Sequence, residues 1–303
     1  MPTSVVIPTY NGAHLLEKHL GDVFSAMKDG DELLIVDDAS TDNSVSYVSS
    51  LFQLHQTAVT PELSDQPKHY YPNIGSLQFN IYFGKYQRSN KKIRIVMVVN
   101  PENFRFAATA NIGVALATHP RVLLINNDVS PAVDVLSALE PHFEDERVFA
   151  VGCLEYETHD GNTKSGKNRL WFEKGLFQHS KHEDFTFGHT AWASGGSAMF
   201  DRKKWLELGG FDQLFYPAYW EDIDLSSRAQ KRGWQVLFDP QAVVYHHHET
   251  TNTSVFGHKN LLEMSWKNAD VFTWRHANIL QKLQYLFWKP YWMYQRRKVA
   301  SEG

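Results

Sequence analysis

Four short apolar runs stop abruptly at polar residues, and this pattern constrains the fold more than any other feature of the chain. Ser4 to Ile7 meets Pro8-Thr9-Tyr10-Asn11-Gly12, Glu32 to Val36 meets Asp37-Asp38-Ala39-Ser40-Thr41-Asp42, Val122 to Ile125 meets Asn126-Asn127-Asp128, and Val243 to Tyr245 meets His246-His247-His248. Runs of this length, rich in Val, Ile and Leu, read as buried strands. Ile93 to Val99 supplies another. Between the first two, Leu15, Leu16, His19, Leu20, Val23, Phe24 and Met27 recur at helical spacing, with Gly30 as the stop, and a second helix is expected from Asp42 to about Leu54. The alternation predicts an α/β fold: a Rossmann-like, mostly parallel central sheet flanked by helices. Ligands of such sheets bind beyond the carboxyl ends of the strands, where the polar clusters fall.

Two stretches break the rhythm. Residues 56–92 read as an insertion loop with room for a short hairpin, and residues 155–190 as an extended loop or hairpin lying over a site. From Asn260 onward the sequence turns aromatic, basic and helical. The expected organisation is a domain over residues 1–258 and a helical, aromatic-rich C-terminal extension over 259–303. With 43% apolar residues in 303, the chain can bury an ordinary core. Thirty basic against thirty-four acidic side chains leave a net charge of −4, so no global pull toward nucleic acid or acidic lipid is expected, nucleic acid is not an expected partner, and any basic partner surface must be local. The one cysteine, Cys153, excludes an intramolecular disulfide, suits a reducing compartment, and reads as a structural buried thiol because its neighbours supply no activating cation. The opening MPTSVVIPTYNG lacks a basic segment followed by an apolar one, so no signal peptide is expected, and no apolar run is long enough for a conventional transmembrane helix.

The polar clusters carry the candidate chemistry. Pro8 to Gly12 places short polar residues where a nucleotide can meet the end of the first strand. Asp38 can accept a hydrogen bond from a base or a ribose, while Ser40 or Thr41 can cap the next helix. Capping does not explain why Asp37 and Asp38 crowd together against their mutual repulsion. Asp128 ends an apolar strand and is a candidate ligand for magnesium or manganese, which take oxygen donors and leave diphosphate and water to complete the shell; a plain Asn-Asn-Asp turn is the alternative. Trp220-Glu221-Asp222-Ile223-Asp224 begins a helix with three acids. These oppose the helix dipole favourably, and one of them can also take a proton from a hydroxyl. Upstream, Trp192-Ala193-Ser194-Gly195-Gly196 lets a sugar approach the backbone closely. At most two of His246, His247 and His248 can face one ion, because side chains alternate along a strand.

In this order, VVIPTYNG, VDDASTDNS, ENFRFAATANIG, LLINNDV, ASGGSAMFDRKKWLELGGFDQLF, WEDIDLSSRAQKRGW and VVYHHH resemble the family 2 glycosyltransferases, including those that build bacterial cell-surface polysaccharides and their rhamnosyltransferase-like members. The resemblance implies a GT-A fold and an inverting, metal-dependent transfer from a UDP- or dTDP-linked sugar to a glycan or lipid-linked glycan. It implies that Pro8, Thr9, Tyr10, Asn11 and Asp38 contact the nucleotide, and that Asn103, Arg105, Asn111 and Asn127 shape the donor pocket. It further implies that Asp128 and His246 hold Mn2+ or Mg2+, that Asp222 beside Glu221 is the general base, and that Trp192, Gly195, Gly196 and Trp220 line the sugar or acceptor pocket. The family's Asp-x-Asp element reads Asn126-Asn127-Asp128 here and lacks its first acid. A cytoplasmic protein, peripheral on the inner face of the plasma membrane, is the expected setting.

Two matters stay open. Residues Ile279 to Lys298 mix aromatic and apolar residues with Lys282, Lys289, Arg296, Arg297 and Lys298, which suits an interfacial helix or a helix packed on the core or on a second subunit in a homodimer. A catalytically silent sugar-nucleotide or glycan-binding module is the alternative to an enzyme. A nucleotidyltransferase is disfavoured because no Gly-rich basic loop follows the first strand, and a dinucleotide oxidoreductase because no G-x-G-x-x-G does.

Overall fold

The computed structural model describes residues 1–57, 79–88, 91–157, 163–247 and 258–302. Most of the expected insertion, and His248, lie outside the described residues. The elements in chain order are β1 (Ser4–Thr9), α1 (Ala13–Ala26), β2 (Glu32–Asp37), α2 (Ser44–Phe52), β3 (His55–Thr57), β4 (Asn80–Arg88), β5 (Lys91–Val99), α3 (Arg105–Leu116), β6 (Arg121–Ile125), β7 (Val129–Pro131), α4 (Val135–Leu139) and β8 (Val148–Glu157). They continue with β9 (Lys164–Ser165), β10 (Asn168–Glu173), β11 (Leu176–Lys181), β12 (Gly188–His189), β13 (Ser197–Asp201), α5 (Arg202–Leu208), α6 (Glu221–Lys231), β14 (Gln235–His246), α7 (His258–His276) and α8 (Ile279–Glu302).

The main sheet runs β12-β14-β8-β13-β6-β1-β2-β5-β4-β3. Its centre, β6-β1-β2-β5, is parallel throughout. The flanks are mixed: β13 is antiparallel to both β6 and β8, and β4 folds back on β5. The hairpin the sequence had room for is therefore β4–β5, and β10–β11 forms a second one within 155–190.

The central strands are apolar along their length because both faces are covered. Val5, Ile7, Leu33, Ile35, Ile95 and Met97 face a core closed by Leu16, Leu20 and Val23 of α1. Val6, Leu34, Val36, Val96 and Val98 face the opposite core, closed by Ala110, Ile112 and Val114 of α3. Gly113 allows that helix to lie directly on the sheet, since a Cβ there would run into Val6 and Val36. A third core joins the hairpin and the C-terminal helices to the end of the sheet through Leu176, Trp192, Phe215, Trp220, Phe272 and Tyr285.

Candidate functional site

At the carboxyl ends of β1, β2 and β6 the polar loops bind one another. The Asn11 side-chain oxygen accepts from the Thr41 and Asp42 amides at 2.7 and 3.3 Å, while the Asn11 amide donates to Ser40 Oγ at 2.8 Å. No side chain caps the following helix, whose N-cap is Asn43, so neither Ser40 nor Thr41 has that role; Asp42 instead bridges its start to that of α1. Its carboxylate accepts the Ser44 amide at 2.9 Å and, with its other oxygen, the Ala13 amide at 3.0 Å, so one acid serves the first turns of α2 and α1. Thr9 Oγ1 accepts from the Asn127 amide group at 2.8 Å, joining β1 to the polar end of β6. Tyr10 is half-buried beside buried Pro8 and Thr9.

Asp38 is buried, and it organises the loop after β5. One carboxylate oxygen accepts from Asn100 Nδ2 at 2.9 Å and the Phe104 amide at 2.8 Å; the other accepts the Arg105 amide at 2.8 Å. Asn103 supplies a further acceptor to that amide at 3.1 Å, and Arg105 holds a left-handed φ of 69° at the start of α3. Asp37 turns the other way and accepts the Ser40 amide. Burial raises its carboxyl, with Asp38 adding to the effect. Asn111 departs from expectation. It is fully buried in α3, and its amide exchanges two 2.9 Å hydrogen bonds with the Phe211 backbone, so it tethers α3 to Phe211 and has no face left for a donor.

Asp128 and His246 meet. Asp128 Oδ1 lies 3.3 Å from His246 Nε2, and the Asp128 carbonyl accepts the His247 amide at 3.0 Å. Behind the imidazole stands Glu155, an acid the sequence reading missed, with Oε2 3.8 Å from His246 Nδ1. Glu155 is buried and accepts from Ser165 Oγ at 2.8 Å and from Ser197 Oγ. Burial alone would lower the His246 imidazole, but Asp128 and Glu155 outweigh it and hold it up to about 10. Burial likewise pushes Glu155 up, while His246 and the two serines bring it below the usual carboxylate range. Its signal in the sequence is an acid that directly follows the apolar run Val148 to Leu154 within a strand buried on both faces.

Asp222 reaches this cluster through the 194–196 segment. Its Oδ2 accepts the Gly195 amide at 3.5 Å and its Oδ1 the Ile223 amide at 2.8 Å. The next residue, Gly196, accepts the Asn126 amide at 3.0 Å and lies so close to the Asn126 side chain that a Cβ would stand 2.6 Å from its nitrogen. Ser197, one position on, holds Glu155. The acids at 128 and 222 therefore belong to one end of the sheet. Withdrawal from water raises both Glu221 and Asp222, and their proximity adds to the rise of Glu221.

The remaining neighbours are structural. Trp192 and Trp220 are buried, and His179 of β11 sets its ring edge-on to both, with centroids at 5.4 and 4.8 Å. These indoles build the wall under the hairpin; they are not open platforms for a sugar. Asp224 is fully buried and binds Arg228 Nε and His276 Nε2 at 2.7 Å each, with Arg275 Nε at 3.3 Å. It anchors α6 to α7, a heavier duty than opposing a helix dipole. The Asn268 amide donates to the carbonyls of Phe215, Ala218 and Tyr219 at 2.9 Å each, clamping the loop in which Tyr219 and Trp220 hold φ of 74° and 77°. Cys153 is buried, and burial pushes its thiol well up, as an inert core thiol requires.

The sequence matches the family described as glycosyltransferase like family 2 over residues 83–260 and that described as glycosyl transferase family 2 over residues 4–71. An N-acetylglucosaminyl-diphospho-decaprenol L-rhamnosyltransferase of Mycobacterium tuberculosis is 39% identical over 56 residues, a match that spans 18% of this chain and 18% of that protein. Among solved structures, the mannosyltransferase PcManGT of Pyrobaculum calidifontis, in complex with GDP-Man and Mn2+, superposes with a TM-score of 0.54 at 17% identity over 94% of this chain and 73% of that one. GalNAc-T7 with UDP, GalNAc and Mn2+ gives 0.54 at 16% over 82% of this chain and 44% of that one. S. aureus TarS 1-349 in complex with UDP-GlcNAc gives 0.51 at 14% over 83% and 60%. These likenesses establish the architecture.

Proposed function

Because this chain belongs to glycosyltransferase family 2, we propose that it transfers a sugar, with inversion, from a UDP- or dTDP-linked donor to a hydroxyl of a glycan or lipid-linked glycan. The observation that carries the reading is Asp222, a carboxylate raised by its surroundings and bound to the Gly195 amide, beside the Gly196–Asn126 contact that leads to Asp128 and His246. A base whose pKa is lifted toward the working pH is suited to taking a proton as an acceptor attacks. In the displacement, the acceptor oxygen bonds to the anomeric carbon, the carbon–oxygen bond to the diphosphate breaks with its electron pair leaving on phosphate, and the hydroxyl proton passes to Asp222.

The donor set suits a divalent cation that displaces the imidazole proton Asp128 and Glu155 otherwise retain: a carboxylate oxygen and an imidazole nitrogen stand 3.3 Å apart. No group of three or more His, Cys, Asp or Glu side chains among the described residues could hold a metal. Mn2+ or Mg2+ would thus take two protein ligands, Asp128 and His246, and complete its shell on diphosphate and water. Bound there, it would neutralise the charge growing on the leaving diphosphate. Glu155 orients the His246 ring for this role. Two of the superposing structures contain Mn2+, which supports the assignment. The decaprenol-linked substrate in the name of the M. tuberculosis relative supports the acceptor class. We assign the chemistry to residues 1–258, with 259–303 as an extension packed against it, in a reducing, cytoplasmic setting suited to the single cysteine.

Asn126 in place of an acid favours a second reading, a module that binds the sugar nucleotide without turning it over. Release of nucleoside diphosphate from candidate donors, with and without manganese and acceptor, decides between them. Acceptor-dependent release that disappears in Asp222→Asn, with donor binding kept, supports the transferase; tight donor binding with no release in any condition supports the silent module.

A further inference from the structure

Helix α8 has two faces of different character. Its inner face is fixed: Trp292 Nε1 donates to the Lys174 carbonyl at 2.8 Å, Arg296 forms a two-pronged bond to Asp270 at 2.6 and 3.0 Å, and Tyr285 is buried. Gly175, at the tip of the β10–β11 hairpin, lies so close that a Cβ would stand 2.6 Å from the Gln284 carbonyl oxygen. The outer face carries Ile279, Leu280, Leu283, Leu286, Phe287 and Tyr294, exposed by 53% at Leu286 to 79% at Ile279. At 3.6 residues per turn these six fall within an arc of roughly 120°. An apolar stripe of this length standing in water marks a contact surface.

Its charge surroundings select the partner. Between Asp270 and Glu302 the chain holds six Lys or Arg residues, of which Arg275 is bound by Asp212 and Asp224 and Arg296 by Asp270, in a protein whose net charge is −4. Lys282 and Lys289 flank the stripe, seated over the Trp274 and Tyr285 rings at 5.2 and 5.7 Å, and exposed Arg297 and Lys298 follow its end. A second copy meeting this face symmetrically would bring two rows of cations together with no acid between them. An anionic bilayer offers both what the stripe lacks and what the lysines seek. No helix among the described residues is long and apolar enough to cross a membrane, so α8 fits a position in the interface plane.

The geometry points to the outer face of α8 as a docking surface for anionic lipid, independent of the transfer chemistry. The tryptophan Trp292, which by composition alone would belong to an interfacial belt, is spent on the hairpin; Leu, Ile and Phe side chains enter the acyl boundary while the cations meet headgroups. The path His276–Asp224 then ties the lipid-facing pair α7–α8 to the helix that carries Asp222.

The test uses the full chain and vesicles of phosphatidylcholine with or without phosphatidylglycerol, read by flotation. The wild type floats with the mixed vesicles and binds phosphatidylcholine alone about tenfold more weakly, salt narrowing the difference. Leu283→Ser, Leu286→Ser and Phe287→Ser combined lower binding about tenfold or more with an unchanged melting curve, because all three side chains are more than half exposed. Arg297→Gln with Lys298→Gln weakens binding only to the anionic vesicles. The proposal is overturned if the wild type leaves both vesicles unbound, if the serine variant floats like the wild type, or if the serine substitutions instead disperse a dimer that itself binds no lipid.

Discussion

The two ends of the proposed site, one assigned to the donor and one to the acceptor, are built on opposite principles. At the proposed donor end, Asn11, Asp38 and Asp42 spend their oxygens on backbone amides of neighbouring loops. At the proposed acceptor end, Glu221 and Asp222 are two adjacent acids whose carboxyls burial raises, with no cation paired to either among the described residues, on a helix whose approach runs through left-handed Tyr219 and Trp220. The first arrangement stabilises a fixed cradle. The second holds charge and backbone strain in place because the C-terminal helices clamp it, which is where reactivity is expected.

The sharpest way to break this contrast is Asp222→Asn. Turnover is expected to fall roughly 10²-fold or more, while the melting temperature rises, since the variant removes a charge that burial disfavours; a fall in both would mean that Asp222 is a structural acid. Glu155→Gln comes next. Mn2+ affinity in the presence of nucleoside diphosphate, read by electron paramagnetic resonance, is expected to fall about 10- to 100-fold, with Glu155→Asp restoring part of it; unchanged affinity would remove Glu155 from the metal's support. Asn268→Ala, which strips three carbonyls of their donor, is expected to cost about 1–3 kcal/mol in urea unfolding and to lower kcat more than donor affinity. A lowered donor affinity with intact kcat would place the clamp on the donor side.

The smallest effect is in pH. The folded values of Glu221 and Asp222 lie above their unfolded ones, so folding takes up protons between the two. Their contribution to stability is fully present below the ordinary carboxylate range and is lost as pH rises through the raised values. The wild type should thus give up thermal stability relative to Glu221→Gln on passing from acid to neutral pH, and the acid limb of kcat/KM should sit above an ordinary aspartate. Parallel stability profiles for the two proteins would contradict the raised values.

What was legible in the sequence follows the same division. Strand ends and the β-α-β rhythm could be read because each depends on a local pattern, and the rule that ligands gather at the carboxyl ends of strands brought Asp128 toward the histidine run, where only the resemblance singled out His246. Asn111, which the resemblance assigns to the donor pocket, binds a backbone partner 100 residues away, and nothing in one dimension announces that meeting. Glu155 and the Asn268 clamp were missed for a related reason: their partners come from β13, β14 and the loop before α6, and no spacing encodes those meetings. In α8 the sequence supplied the right ingredients but not their sides, because only the hairpin decides which face turns inward.

The Asn268 clamp limits how this protein can be rearranged. Asn268 of α7 supplies the donor to the loop that leads to the proposed base, so on that reading a shortened chain or a graft of a foreign tail would keep the proposed nucleotide cradle and lose the aim. Such a chimera would capture donor and fail to discharge it, unless the replacement brought an amide side chain to the same depth.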